Sequence, residues 1–155
     1  MPEKRTLERA RRDKEQGKSA STQAGEFVRE EIDHIREGKH GARSTKQAIA
    51  IGLSKARRAG VNLRPPRRGT STAETRRQAK RDTQQSRGRS RRPAATRSRA
   101  TLRALAKEGR SAGSREALSR QARRAAAKRP RAARSQAARR AASTRARRGP
   151  GGRRA

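Results

Sequence analysis

The scarcity of large apolar side chains is the feature that most limits what this chain of 155 residues can fold into. Alanine supplies 29 of its 43 hydrophobic residues, so 14 larger ones are left to build a core. Nine of those 14 lie between Phe27 and Leu63. Burial of apolar surface is the main term that offsets the conformational entropy lost on folding. The pattern therefore predicts one short folded segment in a chain that is otherwise too polar to fold.

Net charge is the second constraint, and it is unevenly distributed. The chain carries 46 Lys and Arg against 13 Asp and Glu, which gives a net charge of +33. Residues 1–63 hold 15 of the basic and 9 of the acidic side chains, so 31 basic and 4 acidic ones fall in residues 64–155. A region of that composition predicts a polyanionic partner.

Several classes of protein are excluded by what the sequence lacks. The absence of cysteine excludes disulfide scaffolds, thiolate zinc sites and cysteine nucleophiles. No apolar run approaches the roughly 18 residues that span a membrane, and the first residues lack the apolar stretch of a secretory signal. We therefore expect a cytoplasmic protein of the nucleoid, with no membrane partner.

Helix signals predict a helical hairpin in residues 22–63, with helices at about 22–37 and 45–59. The second helix begins at a capping box formed by Ser44 and Gln47. At 100° per residue the apolar side chains of each helix share one face, and small residues such as Gly52 would allow a close approach. Ile51 lies off that face. Because a hairpin of about 40 residues is usually too small to be stable alone, we expect a homodimer that buries Ile51, or a bound partner.

The regions on either side of the hairpin lack such a face. Residues 1–20 mix both charges and predict a flexible N-terminal arm. Residues 64–155 predict a disordered Arg/Ala-rich tail of low complexity, with weak helices at about 99–108 and 115–129. The expected fold class is therefore all-α and largely disordered: a short helical hairpin followed by a long basic tail.

Residues that carry chemistry are sparse, and the sequence predicts no enzyme, no cofactor and no metal site. The two histidines, His34 and His40, are six positions apart and have no third ligand at a spacing typical of a metal site. The loop from Gly38 to Gly41 lacks the spacing of a nucleotide-binding loop. We therefore expect no catalytic residue.

One face of the first predicted helix is acidic. The helical spacing places four carboxylates in a stripe away from the apolar face, namely Glu26, Glu30, Asp33 and Glu37. A solvated surface is the ordinary interpretation of such a stripe. A docking role is the alternative, in which the stripe turns the hairpin away from DNA or binds the basic tail.

The basic residues carry the strongest functional signal. Arginine accounts for 37 of the 46 cations, and its guanidinium group holds phosphate in bidentate fashion. With a single aromatic residue, the chain lacks the stacking platforms of single-strand and RNA-binding modules. The residues predicted to contact nucleic acid are Lys39, Arg43, Lys46, Lys55, Arg57, Arg58, Arg67, Arg68, Arg76, Arg77, Arg91, Arg92, Arg123, Arg124, Lys128, Arg129, Arg139, Arg140, Arg147 and Arg148.

Residues 25–60 contain the motif EGKHGARSTKQAIAIGLSKARRAG. In this motif the chain resembles a family of small, basic bacterial proteins of unknown function, some of them labelled plasmid stabilisation or DNA-binding proteins. The resemblance implies association with DNA. Together with the charge pattern it predicts a sequence-tolerant protein of nucleoid-associated or plasmid-stabilisation type that favours duplex DNA over RNA. Two alternatives remain open: an RNA- or ribosome-associated basic protein, and a protein-binding adaptor of a plasmid maintenance system.

Overall fold

A computed structural model of the chain describes residues 2–88 and 95–148, and all regular secondary structure in these two ranges is helical. The α-helices are α1 (Lys4–Glu15), α2 (Ala20–Arg36), α3 (Thr45–Arg58), α4 (Ala73–Arg87), α5 (Ala95–Ala106), α6 (Arg115–Ala127) and α7 (Arg131–Arg148). A 3₁₀ turn spans Ser111–Gly113. The described residues up to Leu118 form one compact unit, and those from Ser119 onward form a second.

Helices α2 and α3 form the centre of the first unit. The structure confirms Ser44 as the N-cap of α3, because its hydroxyl accepts a hydrogen bond from Gln47 N–H at 3.2 Å. The two helices approach closely where Gly52 lies against Val28, since a Cβ at Gly52 would come within 2.7 Å of the Val28 Cα. The absence of a side chain at Gly52 therefore allows the two backbones to come close.

Two small apolar clusters line the contact between these helices. The first contains Ala10, Ala24, Phe27, Ala56 and Val61. The second contains Ile32, Ile35, Ala42, Ala48 and Ala112. Each cluster includes one residue from outside the predicted hairpin, Ala10 from α1 and Ala112 from the 3₁₀ turn. Segments that were expected to be disordered therefore close the core.

Residues 1–20, expected to form a flexible arm, contain α1, which packs along α2. Its Thr6, Ala10 and Asp13 are buried. The N–H of Glu3 donates a hydrogen bond of 3.1 Å to Glu30 Oε2 on α2. Because the packed side chains are small and the ends are held by polar contacts, a count of large apolar residues does not reveal this helix.

The prediction of a largely disordered chain with a long basic tail is wrong, because α4 to α7 occupy most of residues 64–148. Only α5 and α6 lie near the two weak helices predicted there. Helix α4 packs on α3 through buried Ala79 and Asp82. Ser54 Oγ on α3 donates a hydrogen bond of 2.6 Å to Asp82 Oδ2. A small residue and a polar contact replace the apolar face that the sequence lacks.

Residues 105–113 also belong to the first unit, where they pack against the loop between α2 and α3. The N–H of Gly41 donates to the carbonyl of Leu105 at 2.9 Å, and that of Ala42 donates to the carbonyl of Gly109 at 3.1 Å. A Cβ at Gly41 would collide with the carbonyl of Glu108. Backbone hydrogen bonds and a required glycine therefore join segments that are more than 60 residues apart.

The second unit consists of the end of α6 and α7, and none of its described side chains is buried. Helix α7 has 18 residues, which makes it about 27 Å long at 1.5 Å per residue. Among the described residues, no helix is both long enough and apolar enough to cross a membrane.

Candidate functional site

The structure places most of the predicted nucleic-acid-binding residues on the surface. The exposed ones are Lys39, Arg43, Lys46, Arg58, Arg67, Arg68, Arg77, Arg123, Arg124, Lys128, Arg129, Arg139 and Arg140. Arg76 is half-buried and donates a hydrogen bond of 2.9 Å to the carbonyl of Ser71. Arg91 and Arg92 lie outside the described residues, as do the side chains of Arg147 and Arg148 at the end of α7.

Two of the predicted phosphate ligands face inward instead, and their assignment is corrected. Lys55 Nζ lies 2.6 Å from Glu31 Oε2 on α2, and its side chain is 17% exposed. Arg57 is buried, and this burial lowers the pKa of its guanidinium group, although nearby Asp82 opposes the shift. Because α3 packs against both α2 and α4, neither cation can reach a phosphate in the folded chain.

The predicted acidic stripe on α2 is largely covered by α1. The side chain of Glu30 is 2% exposed and that of Glu26 is 16% exposed. Arg9 Nη1 of α1 lies 3.7 Å from Glu26 Oε2. About half of the Asp33 and Glu37 side chains remains exposed. The stripe is therefore in large part the surface against which α1 packs.

Exposed basic residues without acidic neighbours in the sequence are concentrated in the second unit. Residues 119–155 contain 14 Lys and Arg and no Asp or Glu. We define the C-terminal basic surface as the nine of these cations whose exposed side chains are described: Arg120, Arg123, Arg124, Lys128, Arg129, Arg131, Arg134, Arg139 and Arg140. Every described cation of this unit is therefore accessible to a polyanion.

The cations of α7 are spread around the helix. At 100° per residue the positions of Arg131, Arg134, Arg139 and Arg140 cover an arc of about 240°. No face of this helix is apolar, and its described side chains are exposed except for half-buried Ala133. A helix of this kind gains little from packing on its own chain.

A second candidate site lies in the first unit and is built around a buried carboxylate. Glu31 is fully buried, and neither of its carboxylate oxygens accepts a hydrogen bond of normal geometry. Its Oε2 forms the close ion pair with Lys55, while its Oε1 lies 3.3 Å from Nε2 of His40. A buried carboxylate is costly unless it is paired, so the close ion pair with Lys55 is the main compensation for the burial of Glu31.

The two histidines lie next to this carboxylate. Their ring centroids are 6.1 Å apart, and the rings are nearly perpendicular. His34 Nε2 lies 2.8 Å from Glu3 Oε1, and His40 Nδ1 lies 3.1 Å from the carbonyl of Gly41. The hydrogen bond from His34 is the main reason that the pKa of Glu3 is lowered, and Lys39 adds to the effect. His34 Nε2 and His40 Nδ1 thus each contact an oxygen atom, while the second nitrogen of His40, Nε2, faces Glu31 Oε1.

Glu31, His34 and His40 form a group whose ligand atoms all lie within 4.8 Å of one another, and we refer to it as the His–Glu cluster. Glu31 was not among the predicted ligands, because no third residue at a spacing typical of a metal site was expected beside the two histidines. The available signal is the Glu-x-x-His spacing from Glu31 to His34, which places both side chains on one face of α2. The position of His40 beside them is set by the loop and has no such signal.

Comparison with known proteins gives a family without an assigned role. Residues 11–68 match DUF6496, described as a family of unknown function. The matched region starts within α1, contains α2, α3 and the His–Glu cluster, and ends before α4. No curated protein and no solved structure matches the chain. The expected resemblance to proteins labelled plasmid stabilisation or DNA-binding is therefore corrected: the chain is similar, over a little more than a third of its length, to a family that carries neither label.

Proposed function

We propose that this protein binds duplex DNA without strong sequence preference, through the C-terminal basic surface. The observation that carries the proposal is that the second unit contains many basic residues and no acidic ones. Its 14 cations are accompanied by no acidic residue, and all nine that the structure describes are exposed. Phosphate groups would neutralise the mutual repulsion of these cations, and release of counterions from DNA would drive the binding.

The arrangement of arginines around α7 favours binding of this helix in a groove of DNA rather than along a flat surface. A helix that lies in the major groove is flanked by the phosphates of both strands. Cations over an arc of about 240° can reach both sides, whereas a helix lying on a surface would use one face only. The 27 Å length of α7 is somewhat less than one turn of B-DNA, which is about 34 Å.

The position of the single aromatic residue supports duplex over single-stranded nucleic acid. Phe27 is 1% exposed and belongs to the first apolar cluster. Recognition of unpaired bases relies on accessible aromatic side chains that stack on them. With its aromatic ring in the core, the chain has phosphate contacts as its main means of binding, and these do not read sequence.

The test is the salt dependence of binding by the full chain to a 20-base-pair duplex, measured by fluorescence anisotropy at several salt concentrations between 50 and 300 mM. If all nine cations of the basic surface contact phosphate, the slope of log Kobs against log salt is about −8. Duplexes of different sequence should bind with affinities within about threefold of one another, because phosphate contacts are the same for all of them.

The matched variants each remove four positive charges. Substitution of Arg123, Arg124, Arg134 and Arg139 by Gln should reduce the magnitude of the slope by about 3 to 4. Substitution of Arg5, Arg11, Arg12 and Lys14 by Gln on α1 lowers net charge equally and should change the slope much less. Binding without salt dependence, equal effects of the two variants, or tighter binding to a structured RNA of equal length would contradict the proposal.

A further inference from the structure

We propose that Glu31, His34 and His40 form a binding site for a divalent transition-metal ion of the Zn²⁺ class. The site lies in the first unit, where two ligands come from α2 and the third from the loop that follows it. It uses none of the residues of the C-terminal basic surface, so it is independent of the proposed DNA binding.

Two of the three ligand atoms are spaced as they would be around a bound ion. Zinc bonds of about 2.0–2.1 Å in a tetrahedral site place neighbouring ligand atoms about 3.3–3.4 Å apart. The distance from Glu31 Oε1 to His40 Nε2 is 3.3 Å, which is one edge of such a tetrahedron. The remaining ligand atom, on His34, lies within 4.8 Å of both.

The partners outside the cluster orient the ligands as metal sites require. A metal-bound histidine usually donates its second ring N–H to a carboxylate or a backbone carbonyl. Glu3 Oε1 accepts from Nε2 of His34, and the Gly41 carbonyl accepts from Nδ1 of His40. These contacts leave the lone pairs on Nδ1 of His34 and on Nε2 of His40. Lys55 holds the second oxygen of Glu31 in the same way.

The buried carboxylate is the independent observation that favours a ligand. Oε1 of the fully buried Glu31 accepts no hydrogen bond, whereas Oε2 is paired with Lys55. A metal ion at Oε1 would supply the missing partner. His34 and His40 are 14% and 10% exposed, and His34 lines a polar cleft between α1 and α2.

The donor atoms decide the class of metal. Two imidazole nitrogens and one carboxylate oxygen suit Zn²⁺, Co²⁺ or Ni²⁺, whereas Mg²⁺ and Ca²⁺ prefer oxygen ligands alone. Three protein ligands leave the fourth position of a tetrahedral ion for water. The ammonium group of Lys55 opposes binding of a cation, and the carboxylate of Glu30, whose Oε1 lies 3.4 Å from Nζ of Lys55, partly offsets its charge.

The experiment is a titration of the full chain. Because His34 and His40 are its only histidines, every imidazole signal belongs to the proposed site. Two-dimensional ¹H–¹⁵N spectra of the imidazole rings, recorded during a titration with Zn²⁺, should show both rings shifting with a stoichiometry of one ion per chain. The nitrogens expected to shift most are Nδ1 of His34 and Nε2 of His40. Mg²⁺ at the same concentration should leave both rings unchanged.

Variants test the ligand set. His40→Ala and Glu31→Gln should each weaken Zn²⁺ binding by more than about tenfold, because even outer partners of a metal site contribute 10- to 100-fold. Glu37→Gln is the matched control, since it removes an exposed carboxylate at the C-cap of α2, six residues beyond Glu31. A Zn²⁺ concentration about 100 times Kd should raise the Tm of the wild-type chain by about 5–10 °C and that of His40→Ala much less.

The wild-type spectra decide the outcome even if a variant fails to fold. Coordination shifts at one nitrogen of each ring support the site. Rings that do not shift, rings that shift equally with Mg²⁺, or a Zn²⁺ affinity of folded His40→Ala within threefold of the wild type would overturn it.

Discussion

The two compact units of this protein use charge in opposite ways. All 13 acidic residues of the chain lie in the first unit, which extends to Leu118. Several of them bind basic side chains at the contacts between helices. In the second unit the acidic residues are absent and every described cation is exposed. Charge is therefore buried at helix contacts in one region and left exposed to solvent in the other.

This difference shows how a chain with so few large apolar residues can fold. The first unit replaces part of the missing apolar burial with small residues at close helix contacts, such as Ala48, Gly52 and Ala56, and with buried ion pairs. The described residues of the second unit make no comparable contacts, and their helices depend on local propensity, which is high for Ala and Arg. We expect substitutions of charge to unfold the first unit and to alter binding by the second.

The largest loss of stability is expected when the ion pair between Glu31 and Lys55 is broken. Lys55→Met should lower the free energy of unfolding by about 3–5 kcal/mol, because it leaves a buried carboxylate without its cation. Urea denaturation in the presence of a chelator measures the change. Replacing both partners, with Glu31→Leu and Lys55→Met together, should recover most of the loss. A single variant as stable as the wild type would show that charge does not support packing here.

A smaller effect is expected at the contact between α2 and α3. Gly52→Ala should lower the free energy of unfolding by about 1–3 kcal/mol, since its Cβ would press on the Val28 backbone. Gly25→Ala is the matched control within α2, where nothing lies within 4 Å of the added Cβ. That control should stabilise the chain by about 0.5–1 kcal/mol through helix propensity alone. Equal effects of the two substitutions would contradict the close contact.

Substitution of the basic surface should hardly change stability. Arg134→Gln together with Arg139→Gln should alter the free energy of unfolding of the first unit by less than about 0.5 kcal/mol, because both side chains are exposed. The measurement is the urea midpoint of the first unit, followed by the resonances of buried Phe27 and Ile35. A shift as large as that of Gly52→Ala would mean that the second unit supports the core of the first.

The smallest expected effect is the pH dependence that Glu3 contributes. Its pKa is lowered from 4.5 by the hydrogen bond with His34 and by Lys39. A carboxyl group whose pKa is lowered on folding contributes stability above pH 4.5 and loses it as the pH falls through the lower, folded value. Glu3→Gln should therefore be less stable than the wild type near pH 6, and the difference should fade below pH 4.5.

Urea denaturation at five pH values between 3 and 7 measures this difference. Glu8→Gln, which removes another exposed carboxylate of α1, corrects for the change in net charge. A difference between wild type and Glu3→Gln that stays constant from pH 3 to pH 7 would argue against the contact with His34.

Local signals in the sequence located part of the fold and part of the candidate site. Ser44 was identified as a cap because a hydroxyl followed by Gln three residues later is a local pattern, and the structure confirms it. Helix α1 and the packing of residues 105–113 were missed, because their contacts use Thr6, Ala10 and backbone N–H groups. Such contacts join distant segments and leave no periodic apolar pattern.

The same limit applies to the site residues. Lys55 and Arg57 are basic residues of the kind that bind phosphate. Only the packing of α2 and α4 against α3 shows that they face inward. The sequence spacing is enough to place Glu31 and His34 on one face of α2. The position of His40 beside them is set by the path of the loop, which the sequence does not reveal. Which charge is buried depends on the neighbouring helix and not on the residue itself.

The sequence by itself determined the scarcity of large apolar residues, the location of most of them between Phe27 and Leu63, and the separation of charge. These follow from composition and order alone. The tertiary structure decided which segments close the core, which cations remain accessible, and that two histidines meet a buried carboxylate. The physical reason is that helical periodicity reports the faces of single helices, whereas contacts between small residues and backbone groups form only when distant segments come together.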